Sequence, residues 1–152
     1  MFKAVLIVCT GNICRSPLAA ALLAARAPGL RVASAGTQAP AGAPADPLSV
    51  ASGQRRGVDL AAHRARRLDE ALLAEHDLVL AAEQHHVEAV TARFPMARGR
   101  VFRLGHWRDL DVPDPVGRDE QAFEAAAGMI DACLADWLPH LVEGQHRHDA
   151  SA

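Results

Sequence analysis

An uninterrupted apolar run near the start of the chain, Ala4-Val5-Leu6-Ile7-Val8, determines the class of fold. A strand that faces water on one side alternates apolar and polar residues, so this run predicts a strand covered on both faces. Further strands are predicted at 31–34, 78–80 and 100–104, and helical segments separate them. This alternation predicts a single α/β domain: a four-stranded parallel sheet with helices on both faces and flavodoxin-like winding.

Capping residues and apolar spacing predict the helices. Ser16, Asp46 and Asp69 are predicted N-caps, the first two followed directly by proline, which favours the first helical position. The last helix has an apolar stripe at spacings of three and four, formed by Phe123, Ala127, Ile130, Leu134, Leu138 and Leu141. We therefore expect residues 1–143 to form the domain and residues 144–152, which have nothing to bury, to be a disordered tail.

Charge, cysteine count and hydropathy exclude several classes of protein. With 16 basic and 18 acidic residues among 152, the net charge of −2 provides no field that would attract nucleic acid or an anionic membrane. Three cysteines are too few for a disulfide framework, and no apolar run approaches the roughly 20 residues of a membrane span. We expect a cytoplasmic enzyme, monomeric or weakly dimeric, with no nucleic-acid partner and no membrane insertion.

The segment that joins the first strand to the first helix carries the candidate chemistry: Cys9-Thr10-Gly11-Asn12-Ile13-Cys14-Arg15-Ser16. Ligands of parallel sheets bind where strands end, and a helix N-terminus favours both an anion and a cysteine thiolate. Gly11 and Asn12 tolerate a left-handed backbone that turns N–H groups inward. Arg15 matches two phosphate oxygens, and Ser16 can hydrogen-bond the sulfur of Cys9. The pattern predicts a phosphate-binding loop that contains a nucleophile; no G-x-x-x-x-G-K-[ST] nucleotide loop occurs.

A second segment can supply the acid that cleavage of a phosphoester requires. Asp114 lies between two prolines in Asp111-Val112-Pro113-Asp114-Pro115-Val116-Gly117, and the prolines stiffen a loop that must position a carboxylate. No metal site or cofactor is predicted. His85 and His86 are expected on a solvated helix face, unable to converge on one metal, and Cys133 is expected to be a packing or partly exposed thiol.

Together, the stretch Val8–Pro17 and the downstream Val112-Pro113-Asp114-Pro115 resemble the low-molecular-weight protein tyrosine phosphatases. The resemblance implies that Cys9 attacks phosphorus to form a phosphocysteine, while Arg15 and the loop amides hold the phosphate oxygens. It implies that Asp114 protonates the leaving phenolate and then activates water. No metal or cofactor is implied.

The same resemblance implies supporting roles. Asn12, Ser34 and His63 would brace the loop, and Cys14 would form a reversible disulfide with Cys9 that protects it from irreversible oxidation. Ile13 and Val116 would form walls of the substrate pocket. Two segments, Gly105-His106-Trp107 and Ala45-Asp46-Pro47, resemble the bacterial branch paired with tyrosine autokinases of exopolysaccharide export, which implies a phosphotyrosine protein, such as the autokinase, as partner.

Departures from the family pattern leave alternatives open. The family usually has an aromatic residue where this chain has Val116. A valine cannot stack on the ring of the substrate, so this departure bears on the predicted selectivity for phosphotyrosine and not on the phosphatase chemistry. Phosphoarginine phosphatases resemble the same loop but have threonine in place of Ile13, so a protein arginine phosphatase is the alternative. A catalytically silent phosphate-binding module is disfavoured, because binding alone requires neither Cys9 nor Asp114. Arsenate reductases of this fold use cysteines after the third strand, and residues 80–86 contain none.

Overall fold

The computed structural model describes residues 2–142, and the predicted tail at 144–152 lies outside the described residues. Within the described part, the strands are β1 (Ala4–Cys9), β2 (Arg31–Gly36), β3 (Leu78–Ala81) and β4 (Val101–Arg103). They form one parallel sheet in the order β2-β1-β3-β4. The predicted four-stranded parallel sheet is confirmed. β2 extends two residues beyond the prediction because Cys9 still pairs with Gly36 at the end of the β1 ladder.

Helices cover both faces of the sheet: α1 (Arg15–Arg26), α2 (Pro47–Arg55), α3 (Glu70–Ala74), α4 (Gln84–Arg93) and α5 (Glu120–Leu141). Val5 and Ile7 of β1 pack into a core with α1 and α5, whereas Leu6 and Val8 pack into a second core with α3 and α4. Successive strand residues point to opposite faces, so burial of both faces explains why the whole run is apolar.

The helix caps agree with the sequence at two of three positions. The Asp46 and Asp69 carboxylates accept the backbone N–H of Leu48 and Leu72, as predicted. The prediction that Ser16 is an N-cap is wrong, because α1 begins at Arg15 and Cys14 takes the N-cap position without a side-chain hydrogen bond. The buried Ser16 hydroxyl is instead bonded within the preceding loop.

The predicted stripe of α5 is buried, apart from Leu138, which is only partly buried. Trp137, outside the predicted stripe, is buried as well, and its indole N–H donates to the Leu104 carbonyl. Cys133 is fully buried against the sheet, so it packs in the core and is not a partly exposed thiol. Among residues 2–142, none of the helices combines the length and apolar character that crossing a bilayer requires.

Candidate active site

The candidate nucleophile lies where β1 ends and the loop toward α1 begins. Cys9 is the last residue of β1 and is buried. Its sulfur accepts the backbone N–H of Asn12 at 3.3 Å and lies 2.9 Å from the Ser16 hydroxyl. Because the Asn12 side-chain amide donates to the Ser16 oxygen, the Ser16 proton remains free to point at the sulfur. The Asn12 N–H and the Ser16 hydroxyl are therefore two hydrogen-bond donors available to the Cys9 sulfur beside the N-terminus of α1.

Asn12 organises the turn of the loop. Its φ of +54° lies in the left-handed region, as predicted, and the residue is fully buried. Gly11, for which the same backbone was expected, does not have a positive φ. The side-chain amide donates to the hydroxyl oxygens of Ser16 and Ser34 at 2.8 and 2.9 Å, and its carbonyl oxygen accepts the Arg66 N–H. The His63 ring nitrogen Nε2 donates to the Asn12 backbone carbonyl at 2.7 Å. These contacts hold the backbone at Asn12 in the conformation that directs its N–H at the Cys9 sulfur.

The structure brings Arg15 to the same site, where Glu83 and the Val112 carbonyl hold its guanidinium. Its Nη1 donates to Glu83 Oε2 and to the Val112 carbonyl, both at 2.6 Å, while Nη2 lies 3.9 Å from an Asp114 oxygen. Partial burial alone would raise the pKa of the Glu83 carboxyl, but the hydrogen bond and charge of Arg15 hold that pKa below its ordinary value. The sequence did not identify Glu83 as this partner, although its position directly after β3 places it at the ligand edge.

The candidate acid projects from a loop that is anchored to the sheet. Asp114 is half exposed, and one of its oxygens accepts the Val116 N–H at 3.0 Å. The Val112 N–H donates to the Ala82 carbonyl, and the Asp111 carboxylate accepts the Gln84 N–H, so both bonds tie the loop to the end of β3. Anchoring on a rigid element positions the carboxylate beside Arg15.

Two apolar side chains border the site, and the backbone of Gly36 packs closely against the loop. Ile13 is partly exposed and Val116 is exposed, so either can contact a bound group. Gly36, at the end of β2, lies so close to the loop that a Cβ would stand 2.5 Å from the Thr10 carbonyl oxygen. The sequence did not identify this requirement for glycine, because it depends on the packing of two segments.

Thr10 contacts a buried histidine of α4. The Glu83 N–H donates to Nδ1 of His86, so Nε2 carries the proton and donates to the Thr10 hydroxyl at 2.7 Å. Burial lowers the pKa of the His86 imidazole to about 4, which keeps it neutral. The prediction of a solvated face is therefore wrong for His86, which α4 directs at the loop, whereas His85 is exposed.

Ligand atoms of Glu83, His85 and His86 lie within 4.8 Å of one another, closer than the sequence predicted. The Glu83 oxygen already accepts from Arg15, and both ring nitrogens of His86 are engaged with protein groups. These contacts make the cluster part of the loop support rather than a free set of metal ligands.

Cys14 is buried beside the loop, and Cys9, Cys14 and Cys133 are all free thiols. Burial raises the pKa of the Cys14 thiol to about 12, so Cys14 is protonated at neutral pH. The nucleophile is the thiolate form, which leaves Cys9 as the candidate nucleophile of this pair.

Comparisons with known proteins agree on one family. Residues 4–147 match the family model described as low molecular weight phosphotyrosine protein phosphatase. The low molecular weight protein-tyrosine-phosphatase Ptp of Acinetobacter johnsonii is 39% identical over 92% of this chain and 99% of its own length. The tyrosine phosphatase Wzb of Escherichia coli K30, in complex with sulphate, has a TM-score of 0.89, 34% identity, and coverage of 93% of this chain and 99% of its own. The YwlE arginine phosphatase of Geobacillus stearothermophilus has a TM-score of 0.88 and 32% identity, covering 96% and 97%.

Proposed function

The chain belongs to the low molecular weight phosphotyrosine protein phosphatase family, and we propose that it hydrolyses phosphotyrosine in proteins through a phosphocysteine at Cys9. The observation that carries this proposal is the pair of donors on the Cys9 sulfur, the Asn12 N–H and the Ser16 hydroxyl, within a loop that also positions Arg15. A silent phosphate-binding module would require neither a supported thiolate nor an acid.

In the first step, the Cys9 thiolate attacks phosphorus. A sulfur–phosphorus bond forms as the bond from phosphorus to the tyrosine oxygen breaks, and Asp114 transfers its proton to that oxygen. Loop N–H groups and the Arg15 guanidinium stabilise the remaining phosphate oxygens, and this stabilisation needs no reorganisation because Glu83 and Val112 already hold Arg15.

In the second step, water attacks the phosphocysteine. The Asp114 carboxylate, deprotonated by the first step, accepts a proton from that water while the sulfur–phosphorus bond breaks. The Ser16 hydroxyl donates to the departing sulfur, which returns as a thiolate, and inorganic phosphate is released. Asn12, Ser34 and His63 serve as positioning residues for the loop in both steps.

Ile13 and Val116 are proposed as the apolar walls that contact the substrate side chain. A branched apolar Ile13 suits the flat ring of phosphotyrosine better than a polar guanidinium, which favours phosphotyrosine over phosphoarginine. The likeness to an arginine phosphatase makes phosphoarginine the competing substrate to be tested.

The setting proposed for the enzyme is a reducing, cytoplasmic one, because the mechanism requires a free Cys9 thiolate. Under oxidation, Cys14 is proposed to form the reversible disulfide with Cys9 that prevents further oxidation. The proposed physiological partner is a bacterial tyrosine autokinase of exopolysaccharide export or one of its substrates, on the resemblance of Gly105-His106-Trp107 and Ala45-Asp46-Pro47 to that branch.

Turnover of phosphotyrosine, phosphoarginine and phosphoserine peptides under reducing conditions tests the proposal. We expect phosphotyrosine to be the best substrate and Cys9→Ser to abolish its hydrolysis. Absence of turnover in the wild type would refute an enzymatic role, and faster hydrolysis of phosphoarginine would establish the alternative substrate.

The role of Asp114 has a separate test with aryl phosphates of different leaving groups. Asp114→Asn should reduce kcat about 100-fold or more for poor leaving groups, which need a proton, and much less for activated ones. The control Asp59→Asn, whose turn hydrogen bond to the Ala61 N–H an asparagine can also accept, should change neither. An equal loss for both classes of leaving group would contradict the assignment of Asp114 as the acid.

A further inference from the structure

A cavity of about 240 Å³ lies beside the phosphate-binding loop, between that loop and α4. Leu68, Val90 and Phe94 give it an apolar floor, while Thr10 and Arg93 bring polar groups to its walls. Thr10 directly follows Cys9, so the cavity shares a wall with the loop. Residues of a peptide are about 3.8 Å apart, so a peptide whose phosphotyrosine is bound in the loop can direct a nearby side chain toward this neighbouring cavity.

Thr10 has a hydrogen-bond donor left for a ligand. His86 donates its Nε2 proton to the Thr10 oxygen, so the hydroxyl proton of Thr10 is not used in that bond. His86 cannot reverse this polarity at neutral pH, because its Nδ1 already accepts the Glu83 N–H. The hydroxyl therefore suits an acceptor in the cavity better than a donor.

Arg93 gives the cavity a positive charge. Its guanidinium lies 5.0 Å from the centre of the Phe94 ring at the cavity, and no carboxylate among residues 2–142 pairs with it. Several other arginines of the described part do have carboxylate partners: Arg55 and Arg56, for example, both bind Glu124. An unpaired guanidinium above an apolar floor, opposite a hydroxyl donor, complements a side chain with an aliphatic stem and an anionic end.

We propose that this cavity is a substrate subsite that binds a glutamate side chain close to the phosphotyrosine, with Arg93 and the Thr10 hydroxyl at its carboxylate and the apolar floor at its methylene groups. The inference rests on the proposed phosphotyrosine phosphatase activity and specifies which phosphoproteins are preferred. Glutamine has the same shape without the charge, and leucine has the apolar surface alone. Comparing glutamate with these two residues therefore separates the contribution of the charge from that of the apolar contact.

The experiment measures kcat/KM on a set of phosphotyrosine peptides. The two positions before the phosphotyrosine and the two positions after it are varied one at a time, and each carries Glu, Gln or Leu. At one of these positions we expect the wild type to prefer Glu over Gln by about threefold to fivefold, the upper part of the range for an exposed ion pair. Arg93→Gln should bring this ratio close to one. Ala89→Phe, which fills the cavity from α4, should do the same.

Matched controls come from the same region. Arg98→Gln removes an exposed, unpaired arginine outside the cavity, and Ala92→Phe adds a ring at an exposed position of α4 that does not line it. Both should keep the preference for Glu. All four variants should hydrolyse p-nitrophenyl phosphate like the wild type, because this small substrate has no flanking residue.

The outcomes separate this inference from the proposed function. The subsite and the phosphatase activity would both be overturned if the wild type did not hydrolyse p-nitrophenyl phosphate, or if Cys9→Ser hydrolysed it equally well. Three outcomes would overturn the subsite alone, provided that p-nitrophenyl phosphate is hydrolysed. The wild type would show no preference for Glu, or it would prefer Leu over Glu. Alternatively, Arg93→Gln and Ala89→Phe would show the same preference for Glu as the wild type.

Discussion

Arg15 shows what a buried charge requires of its neighbours. It is only 3% exposed, and a guanidinium removed from water is costly unless its charge and protons find partners. Glu83 supplies the countercharge and the Val112 carbonyl a second acceptor. Because this bonding exists before any substrate binds, the orientation of Arg15 is set by the protein alone.

Glu83→Gln tests this preorganisation at the residue scale. The amide keeps the shape of the side chain but removes the countercharge, so Arg15 should shift, and kcat/KM for aryl phosphates should fall about 10- to 100-fold. Unfolding free energy should fall by about 1–3 kcal/mol, since the buried Arg15 donor is left with a weaker, uncharged acceptor. Steady-state kinetics and urea titration measure the two effects.

The matched control is Glu88→Gln, an exposed carboxylate of α4 whose side chain has no hydrogen-bond partner in the described part of the chain. It should change neither quantity. If Glu83→Gln behaved like this control, the guanidinium would be held by Val112 and the loop without Glu83.

At the scale of elements, the end of β2 supports the loop by close approach. Gly36 pairs with Cys9 in the β1 ladder and donates its N–H to the Arg66 carbonyl, so backbone lies on both sides of it. A Cβ at this position would meet the Thr10 carbonyl oxygen and the Asn12 nitrogen. Neither backbone atom can move without changing the loop.

Gly36→Ala should therefore reduce the unfolding free energy by about 1–3 kcal/mol, as overpacking does, and also weaken phosphate binding. Gly128→Ala is the control, because this glycine is exposed on α5 with open space around its Cβ. That change should raise the unfolding free energy by about 0.5–1 kcal/mol. Urea titration and inhibition by inorganic phosphate measure both; unaltered phosphate inhibition in Gly36→Ala would show that the loop tolerates displacement.

At the scale of the whole molecule, His86 and Glu124 are among the groups that link stability to pH. Burial lowers the pKa of His86 to about 4, so the folded protein resists a proton that the unfolded chain takes up near pH 6.5. Stability should therefore fall as pH drops from 6.5 toward 4. Glu124 acts at lower pH. Burial favours a higher pKa, but hydrogen bonds from Ser52, Arg55 and Arg56 lower it to about 2, so its contribution is present above pH 4.5 and lost toward pH 2.

Urea unfolding at pH 7, 5.5 and 4.5 measures the first effect. The wild type should lose about 2 kcal/mol from His86 over this range, at about 1.4 kcal/mol for each pKa unit. His86→Gln, which cannot titrate, should be less stable at pH 7 but lose correspondingly less on acidification. The same slope in both proteins would show that His86 does not cause the loss.

Much of the molecule was predictable from local sequence. The β1 run, the Asp46 and Asp69 caps and the α5 stripe depend on residues close together in the chain, where backbone geometry and burial act directly. The loop residues from Cys9 to Ser16 were predictable for the same reason. Ser16 was given two roles by the sequence, and only its hydrogen bond to the Cys9 sulfur is present, because α1 begins one residue earlier and Cys14 takes the N-cap position.

The sequence by itself determined the parallel α/β class and the position of the proposed phosphate-binding loop at the end of β1, because both follow from short-range geometry and from which residues must be buried. Tertiary structure alone decided which distant groups complete the site. Glu83 reaches Arg15 across 68 residues, His86 reaches Thr10 across 76, and Gly36 lies against the loop. Such pairings depend on how the strands are ordered in the sheet, so they emerge only when the chain is folded.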